Sequence, residues 1–304
     1  MRLERIASAR LSDADRAVRR APGDVLVASF NVHAGIDGWG RPYDPLPGCL
    51  ATDADVLLLV EAFLPDAQQP DGPFPAGAIP SIAERLVREG GYELAAEASL
   101  ARAALRDPPA LSGPAARHWA PTAMHDPGLA LYGRKVPRAV RRRERPPRAC
   151  GTWNVLLFSR LRVRSSKVIP LSPLRREPLD RAIITAEVES EAGVLTVVGT
   201  HFPHLSAGSP FRFGELRDAL PPNTQPGALM GDMNCFGPPL SLALPGWRRA
   251  VHGRTWPSWR RIAQPDHIFI SRAVTARFGE VMAHAGSDHR PVRALLSFGG
   301  GRCR

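Results

Sequence analysis

The sequence Ser287-Asp288-His289, close to the C-terminus, places side by side two groups that could do chemistry together. The carboxylate of Asp288 could hold a hard metal ion, and the imidazole of His289 could move or donate a proton near neutral pH. An apolar run at residues 292–296 follows, which is typical of a β-strand. Three polar residues in a loop are a weak signal on their own, so their interpretation depends on partners elsewhere in the chain.

Other polar residues stand where predicted strands begin or end. The apolar run at residues 25–30 ends at Asn31, and the run at residues 56–60 ends at Glu61. Four more polar residues border later strand patterns: His201, Asp232, Asn234 and Asp266. If the strands lie side by side, these positions meet at one edge of a sheet, where a buried charge such as Glu61 could have a cation as its partner.

Each of these residues also has a structural interpretation. Glu61 could cap a neighbouring helix, and His201 could be a buried histidine with satisfied hydrogen bonds. Asp232 and Asn234 could form an ordinary Asx turn, and Asp266 could simply begin a strand. The functional interpretation therefore depends on the whole set, taken in this order.

The elements that must position these residues are mostly strands. Strand patterns occupy residues 25–30, 56–60, 152–160, 181–189, 193–200 and 266–270. The turn at residues 191–193 predicts an antiparallel hairpin between two of these strands. Helical spacing marks residues 82–89 and 213–220.

Length and composition predict one main domain. The chain has 304 residues and 44% hydrophobic content, which suffices for a sizeable core. We predict an N-terminal amphipathic helix or tail at residues 1–22 and a single domain at residues 23–300. Residues 97–149 are rich in arginine and proline and lack periodicity, so we interpret them as an insertion or long loop. Their basic side chains could contact phosphate or could simply be solvated.

The charge of the chain favours an anionic partner. A formal net charge of +11 is typical of proteins that bind phosphate-bearing partners, with nucleic acid favoured. Arginine is spread along the whole chain, however, so the charge could also reflect the composition of the source genome.

The cysteines and the hydropathy pattern indicate where in the cell the protein is expected. The four cysteines form no C-x-x-C pair, which is typical of reduced thiols. No apolar run is long enough to span a membrane, and the N-terminus lacks an apolar signal core. We therefore predict a cytoplasmic protein, and we expect a monomer.

Seven segments, taken together, carry a family resemblance. They are Ser29-Phe30-Asn31-Val32, residues 55–61, residues 151–160, Thr200-His201-Phe202, Gly231-Asp232-Met233-Asn234, Asp266-His267-Ile268 and Ser287-Asp288-His289. In this order they resemble the endonuclease/exonuclease/phosphatase superfamily of exonuclease III-type and DNase I-type nucleases, inositol-polyphosphate phosphatases and neutral sphingomyelinases. The resemblance spans about residues 24–298. It implies an α/β fold, a four-layer α/β sandwich in which two mixed β-sheets pack face to face with helices outside.

The resemblance also implies a metal-dependent phosphoesterase. Glu61 would be the principal metal ligand, and Asn31 and Asp288 would complete the surroundings of the ion. A phosphodiester is anionic and repels hydroxide, so its hydrolysis needs charge neutralisation and an aligned water. Mg²⁺ prefers oxygen ligands and suits this set, and Mn²⁺ could substitute for it.

The same resemblance implies catalytic roles. Asp232 would orient or deprotonate the attacking water, and Asn234 would hold the phosphate or that water. His289 would stabilise the transition state or move a proton, with its ring oriented and its pKa raised by Asp266. His201 would contact a phosphate oxygen.

Four further residues are predicted to bind substrate: His33, Asn154, Trp256 and Arg260. His33 stands where exonuclease III-type repair enzymes carry an acid, which argues against a repair endonuclease. It could contact phosphate or metal, or be an ordinary loop histidine. Trp256 and Arg260 could stack on a base or cover a lipid head group, or the tryptophan could pack under its loop.

The substrate stays open between several classes. A phosphodiesterase or nuclease that hydrolyses phosphodiester bonds by in-line attack of water is favoured by the charge. A sphingomyelinase-like phospholipid diesterase or a sugar-phosphate diesterase is the alternative within the class. A non-catalytic binding protein that retains the fold is the alternative outside it.

Overall fold

The computed structural model describes residues 20–37, 43–66, 81–105, 125–126, 149–175, 177 and 179–299. Its strands are β1 (Val25–Asn31), β2 (Val56–Pro65), β3 (Glu93–Leu105), β4 (His125–Asp126), β5 (Ala149–Ser159), β6 (Arg162–Pro170), β7 (Ala182–Ser190), β8 (Gly193–His201), β9 (Gly227–Asp232), β10 (Arg248–Arg249), β11 (Asp266–Ile270), β12 (Thr275–Val281) and β13 (Val292–Ser297). Its α-helices are α1 (Leu46–Ala51), α2 (Ile82–Gly90), α3 (Phe213–Ala219) and α4 (Gly237–Ala243).

The strands form two mixed sheets. The first has the order β12-β13-β1-β2-β5-β3-β4, and the second has the order β10-β11-β9-β8-β7-β6. The pair β1–β2 and the pair β8–β9 are parallel, whereas the other neighbouring strands are antiparallel. The first sheet therefore joins the beginning of the described chain to its end, through the antiparallel pair β1–β13.

Alternation along the strands sorts the apolar side chains into layers. Inward positions such as Leu58 and Met230 pack together between the two sheets. Outward positions of the first sheet, such as Phe30, pack with α1 and α2. Outward positions of the second sheet, such as Phe269, pack with α3 and α4. The order of layers is helix, sheet, sheet, helix, so the predicted four-layer α/β sandwich is confirmed.

Helix α2 shows how local sequence sets the bounds of an element. The side chain of Ser81 accepts from the backbone N–H of Glu84, and the Glu84 carboxylate accepts from the backbone N–H of Ser81. Such a cap stabilises a helix start by about 1 kcal/mol. The helix is capped at its C-terminus by Gly91, whose φ of 67° suits a residue without a Cβ. The helix predicted at residues 82–89 therefore forms.

Other predictions from the sequence differ in their outcome. The predicted hairpin is present as β7 and β8. Residues 97–105, assigned from the sequence to the insertion, instead belong to β3, which pairs along its length with β5. Alanine-rich alternation hid this strand from the sequence analysis. The rest of the predicted insertion, apart from residues 125–126 and 149, lies outside the described residues, as do residues 1–19 of the predicted N-terminal helix. No described helix is long and apolar enough to cross a lipid bilayer.

Candidate active site

Three polar residues lie side by side across the second sheet. His201 ends β8 opposite Asp232 at the end of β9, since these two strands are parallel. Asp266 begins β11 opposite the same Asp232, since β11 runs antiparallel to β9. Paired residues of neighbouring strands point to the same face, so the three side chains form one row at this edge.

This row continues the alternation that builds the core. Met230 lies two positions before Asp232, Ile268 lies two positions after Asp266, and both apolar residues belong to the core between the sheets. Side chains two positions apart on a strand share a face, so both carboxylates point between the sheets. Asn31 reaches the same space from the end of β1, and all three polar residues are only 1% exposed.

Glu61 reaches the site because β2 contains a bulge. The register with β5 shifts between Leu59 and Ala62, so β2 carries one residue more than its partner there. Glu61 adopts a left-handed φ of 59°, which costs a non-glycine residue roughly 1–2 kcal/mol. Without the extra residue Glu61 would share the outward face with Leu59. The predicted strand end at Glu61 is therefore wrong, because β2 continues to Pro65.

The amide of Asn31 links the two sheets. Its Nδ2 donates to Glu61 Oε1 at 3.0 Å and to Asp232 Oδ2 at 3.1 Å. Its Oδ1 accepts from the backbone N–H of His33 at 3.0 Å. One side chain thus fixes a carboxylate from each sheet, and its own orientation is fixed by the loop that follows β1.

His289 is held by a buried carboxylate. Its Nδ1 lies 2.8 Å from Asp266 Oδ2, and Thr255 Oγ1 donates to the same oxygen at 2.5 Å. Burial alone would lower the pKa of His289, but the charges of Asp266, Asp288 and Asp232 raise it well above its ordinary value. The contact at Nδ1 leaves Nε2 facing the site, where it lies 3.9 Å from Asp232 Oδ2.

Asp288 is held on both oxygens. Trp256 Nε1 donates to its Oδ2 at 3.1 Å, and His33 Nδ1 lies 3.3 Å from its Oδ1. Burial favours the neutral acid, but the charges of His33 and His289 and the hydrogen bond from Trp256 outweigh it, so the pKa of Asp288 is lowered. The role of Trp256 as a donor to this carboxylate was missed from the sequence, because the two residues meet only through the fold.

Asp232 and Asn234 form the turn that the sequence left open as an alternative. The backbone N–H of Asn234 donates to Asp232 Oδ1 at 2.8 Å. Asn234 Nδ2 donates to the carbonyl of Phe202 at 2.8 Å and lies 3.3 Å from His201 Nε2. The turn therefore occupies one oxygen of Asp232 and leaves Oδ2 directed at the other site residues.

Two glycines allow this close packing. Gly231 precedes Asp232 with a φ of 142°, and a Cβ there would lie 1.9 Å from the carbonyl oxygen of Thr200. Gly286 precedes the Ser-Asp-His segment with a φ of 102°, and a Cβ there would lie 2.2 Å from the ring of Tyr43. Any other residue would clash with the Thr200 backbone at position 231 and with the Tyr43 ring at position 286.

Among the described residues, two groups of side chains bring metal-ligating atoms within 4.8 Å of one another: Glu61 with His201 and Asp232, and Asp232 with Asp266 and His289. Both groups are rich in carboxylate oxygen, which suits a hard divalent cation more than a soft one. Asp232 belongs to both, so the two groups form one continuous site.

Glu61 and Asp288 both belong to the predicted metal set, and the charge of Asp288 acts on Glu61. Burial raises the pKa of Glu61, His33 and the hydrogen bond from Asn31 oppose this rise, and the charge of Asp288 adds to it. The two carboxylates therefore repel each other across the site. A divalent cation between them would relieve that repulsion, so the residues present fit such an ion.

The sequence analysis did not identify Arg181 as a residue near the site. It stands just before β7 and is 7% exposed, with Nη1 donating to the carbonyl of His201 at 3.4 Å and Nη2 lying 3.3 Å from Glu177 Oε1. Burial lowers its pKa, and the carboxylates of Glu177, Glu61 and Asp232 oppose this. Its position at the start of a strand pattern was the one signal available.

The two remaining predicted substrate residues differ in exposure. Asn154 is buried in β5, where its Nδ2 donates to Thr152 Oγ1 at 3.0 Å and its Oδ1 has no hydrogen-bond partner among the described residues. Arg260 is exposed in the loop that begins with Trp256. The loop thus contributes one residue inside the site and one outside it.

The sequence matches one family model. The model of the Endonuclease/Exonuclease/phosphatase family matches residues 28–289. That span contains every residue of the polar row, Glu61 and the Ser-Asp-His segment. A comparison with curated protein sequences found no match.

Solved structures share the fold at low identity. An endonuclease/exonuclease/phosphatase from Beutenbergia cavernae is 20% identical with a TM-score of 0.60, over 91% of this chain and 72% of that one. The catalytic domain of human Nocturnin with bound sulfate is 16% identical with a TM-score of 0.52, over 96% and 100%. TDP2 from D. rerio complexed with a single-strand DNA product is 14% identical with a TM-score of 0.50, over 90% and 99%.

Proposed function

We propose that this chain, which belongs to the endonuclease/exonuclease/phosphatase family, is a divalent-metal-dependent phosphodiesterase that cleaves its substrate with water. The observation that carries the proposal is the amide of Asn31, which donates to both Glu61 and Asp232. It joins a predicted metal ligand to a predicted water-binding carboxylate within one buried site.

Mg²⁺ is the proposed ion, with Mn²⁺ as a substitute, held by Glu61 with Asn31 and Asp288 beside it. When bound, it would neutralise charge on the phosphodiester. The chain's own contribution begins with the bulge that fixes Glu61 and with Trp256, which holds Asp288 through its indole N–H. Ligands that are fixed in this way need little rearrangement when the ion binds.

Asp232 is proposed to orient the attacking water. Its Oδ1 accepts from the backbone N–H of Asn234, and Oδ2, which accepts from Asn31 Nδ2, is the oxygen proposed to accept the proton of the water. Oδ2 lies 3.9 Å from Nε2 of both His201 and His289, which is longer than a hydrogen bond. Water and phosphate oxygens can therefore compete for these three polar atoms.

His289 is proposed to stabilise charge on the phosphate. Its Nδ1 lies 2.8 Å from Asp266 Oδ2, and the nearby carboxylates raise its pKa, which favours the cationic form of the ring. The Nε2–H of an imidazolium ring would then donate to a phosphate oxygen as negative charge develops there. Asn234 and His201, which lie 3.3 Å apart, are proposed to hold a second phosphate oxygen.

Nucleic acid is the first proposed substrate class. The net charge of +11 supports it, since a basic protein attracts a polyanion. TDP2 from D. rerio, which shares the fold, is complexed with a single-strand DNA product. A lipid phosphodiester is the second candidate, because the exposed apolar residues Trp259 and Ile262 lie in the loop that contributes Trp256 to the site.

A substrate panel tests this proposal. The protein is incubated with plasmid, single-stranded DNA, RNA, sphingomyelin and bis(p-nitrophenyl) phosphate, each with Mg²⁺ and with EDTA. The proposal expects product from at least one phosphodiester with Mg²⁺ and none with EDTA. Absence of product from every substrate, in protein that melts cooperatively, would favour the non-catalytic alternative.

A further inference from the structure

The exposed apolar side chains of the protein concentrate near the site. Eight large hydrophobic residues are exposed in the part of the chain that the structure describes. Five of them lie in the loops that adjoin the site residues of the second sheet: Leu205, Phe211, Phe236, Trp259 and Ile262. Phe211 is 79% exposed and Ile262 is 57% exposed, so neither is a core residue with one free edge.

The sheet topology brings these loops to one edge. Residues 203–212 follow the end of β8, residues 233–236 follow the end of β9, and residues 256–265 precede the start of β11. In the sheet β8 is parallel to β9 and β11 is antiparallel to β9. The three loops therefore stand in a row beside the polar residues of the site, and we call them the catalytic-edge loops.

The loop at residues 256–265 has a fixed base and an exposed tip. Trp256 pairs with Ala263 in a β-bridge. The backbone N–H of Ser258 donates to the carbonyl of Asp288 at 2.6 Å, and its Oγ donates to the carbonyl of Ser287 at 2.7 Å. The site thus anchors the base, while residues 259–262 at the tip are exposed.

The charge of the catalytic-edge loops themselves is one-sided. The catalytic-edge loops contain no aspartate or glutamate, although the whole chain has 29. Arg254, just before the third loop, and Arg260 and Arg261 within it are exposed, and none of them forms an ion pair within the described residues. An edge that combines exposed hydrocarbon with unpaired guanidinium groups complements a surface that is apolar inside and anionic outside.

We infer that the catalytic-edge loops dock the protein on an anionic lipid surface. Leu205 and Ile262 favour lipid over nucleic acid, because an aliphatic side chain gains free energy in hydrocarbon but cannot stack on a base as an aromatic ring does. Trp259 suits the interfacial region, where one end of the indole is wet. The inference rests on the proposed function only for the location of the site.

Vesicle binding tests the inference without any reaction. The full chain is incubated in EDTA with vesicles of phosphatidylcholine alone or of phosphatidylcholine with phosphatidylglycerol, and the pelleted fraction is measured. Wild-type protein should bind the anionic vesicles, and added salt should weaken binding. Phe211→Ser combined with Ile262→Ser should weaken it by about 10-fold or more, since the two apolar side chains would no longer leave water on binding.

Two matched substitutions control for the loss of an exposed apolar side chain. Val87 in α2 and Val168 in β6 are 47% and 38% exposed and lie outside the catalytic-edge loops. Val87→Ser and Val168→Ser should bind vesicles like the wild type. An unchanged Tm in the double variant shows that its fold is intact.

Three results would overturn the inference. The first is that the protein does not bind the anionic vesicles. The second is that the double variant binds them as tightly as the wild type does. The third is that Phe211 and Ile262 are required for binding a single-stranded oligonucleotide but not for binding vesicles. Failure to hydrolyse any phosphodiester would instead contradict the proposed function and leave the vesicle result unaffected, because EDTA is present throughout.

Discussion

Two buried histidines lie on opposite sides of strand β11, and their pKa values are shifted in opposite directions. On its inner face Asp266 contacts His289, whose pKa is raised well above the ordinary value. On its outer face His267 lies beside Phe269, with ring centroids 5.6 Å apart, and its pKa is lowered to about 4. Burial lowers the pKa of both rings, so burial alone does not explain the difference.

The partners explain it. His289 faces several carboxylates, whereas the main hydrogen bond of His267 goes from Nε2 to the carbonyl of Cys235 at 3.0 Å. A carboxylate stabilises the cation through its full charge, and a carbonyl offers only a dipole. The inner face therefore favours a charged ring at the candidate site, while the outer face favours a neutral ring that belongs to the core beside the helices.

The largest expected effect on the inner face comes from Glu61→Gln. The amide keeps the shape of the side chain but removes the charge that would hold the ion, so kcat on bis(p-nitrophenyl) phosphate should fall about 1000-fold. Glu187→Gln is the matched control, because Glu187 is exposed on β7 of the second sheet and should leave kcat unchanged. Near-normal turnover in Glu61→Gln would remove the carboxylate from the proposed metal site.

On the outer face the expected effect is on stability and not on turnover. In the unfolded chain, His267 becomes protonated as the pH falls below its ordinary pKa of about 6.5. In the folded protein its pKa is about 4, so it stays neutral until near that pH. The free energy of unfolding should therefore fall as the pH drops through this window. The expected loss is about 3 kcal/mol, since each unit of pKa difference corresponds to about 1.36 kcal/mol. Urea unfolding of the wild type and of His267→Gln at about pH 7 and about pH 4 measures this contribution.

The glutamine variant keeps a donor for the Cys235 carbonyl but cannot titrate. Its stability should lose less between the two pH values than that of the wild type. Equal losses in both proteins would show that His267 is not the group responsible.

Asp266→Asn tests the partner on the inner face. The substitution should lower kcat about 100-fold with little change in KM, because the proposed role of Asp266 is to position His289. In metal-free protein the His289 ring should titrate at a lower pH in this variant, since the carboxylate that raises its pKa is gone. An unchanged His289 pKa, measured by NMR, would contradict the electrostatic role of the pair.

The smallest effect is expected for Trp256→Phe. The change keeps an aromatic ring but removes the N–H that donates to Asp288 at 3.1 Å. If Asp288 is a metal ligand as proposed, Mn²⁺ should bind about 10-fold more weakly, the usual cost when a ligand loses a hydrogen-bond donor. Trp247→Phe, a buried tryptophan in the layer beside α3 and α4, is the matched control. Equal Mn²⁺ affinity in Trp256→Phe and wild type would contradict this role.

The sequence could predict the residues that obey strand alternation. Asn31, Asp232 and Asp266 continue inward-facing apolar positions, so a period of two residues places them at one edge once the strands are paired. The four-layer fold followed from the family resemblance, and helices α2 and α3 followed from the helical spacing of their apolar residues. These features are local or repeat along the chain, so they can be recognised without coordinates.

The parts that could not be predicted depend on contacts distant in sequence. The bulge at Glu61 is visible only as a register shift against β5, which lies about 90 residues further along the chain. The hydrogen bond from Trp256 to Asp288 joins two loops, and the buried position of Arg181 depends on the packing of β7 against β8. Exposure of the catalytic-edge loops also requires the folded chain, because apolar residues in a sequence are core residues by default.

The most direct test of the central claim, that buried carboxylates at this edge hold a catalytic divalent cation, is hydrolysis of bis(p-nitrophenyl) phosphate by wild-type protein before and after treatment with EDTA. Turnover should disappear in the chelator and return when Mg²⁺ or Mn²⁺ is added in excess. Full turnover in the presence of EDTA would contradict the account.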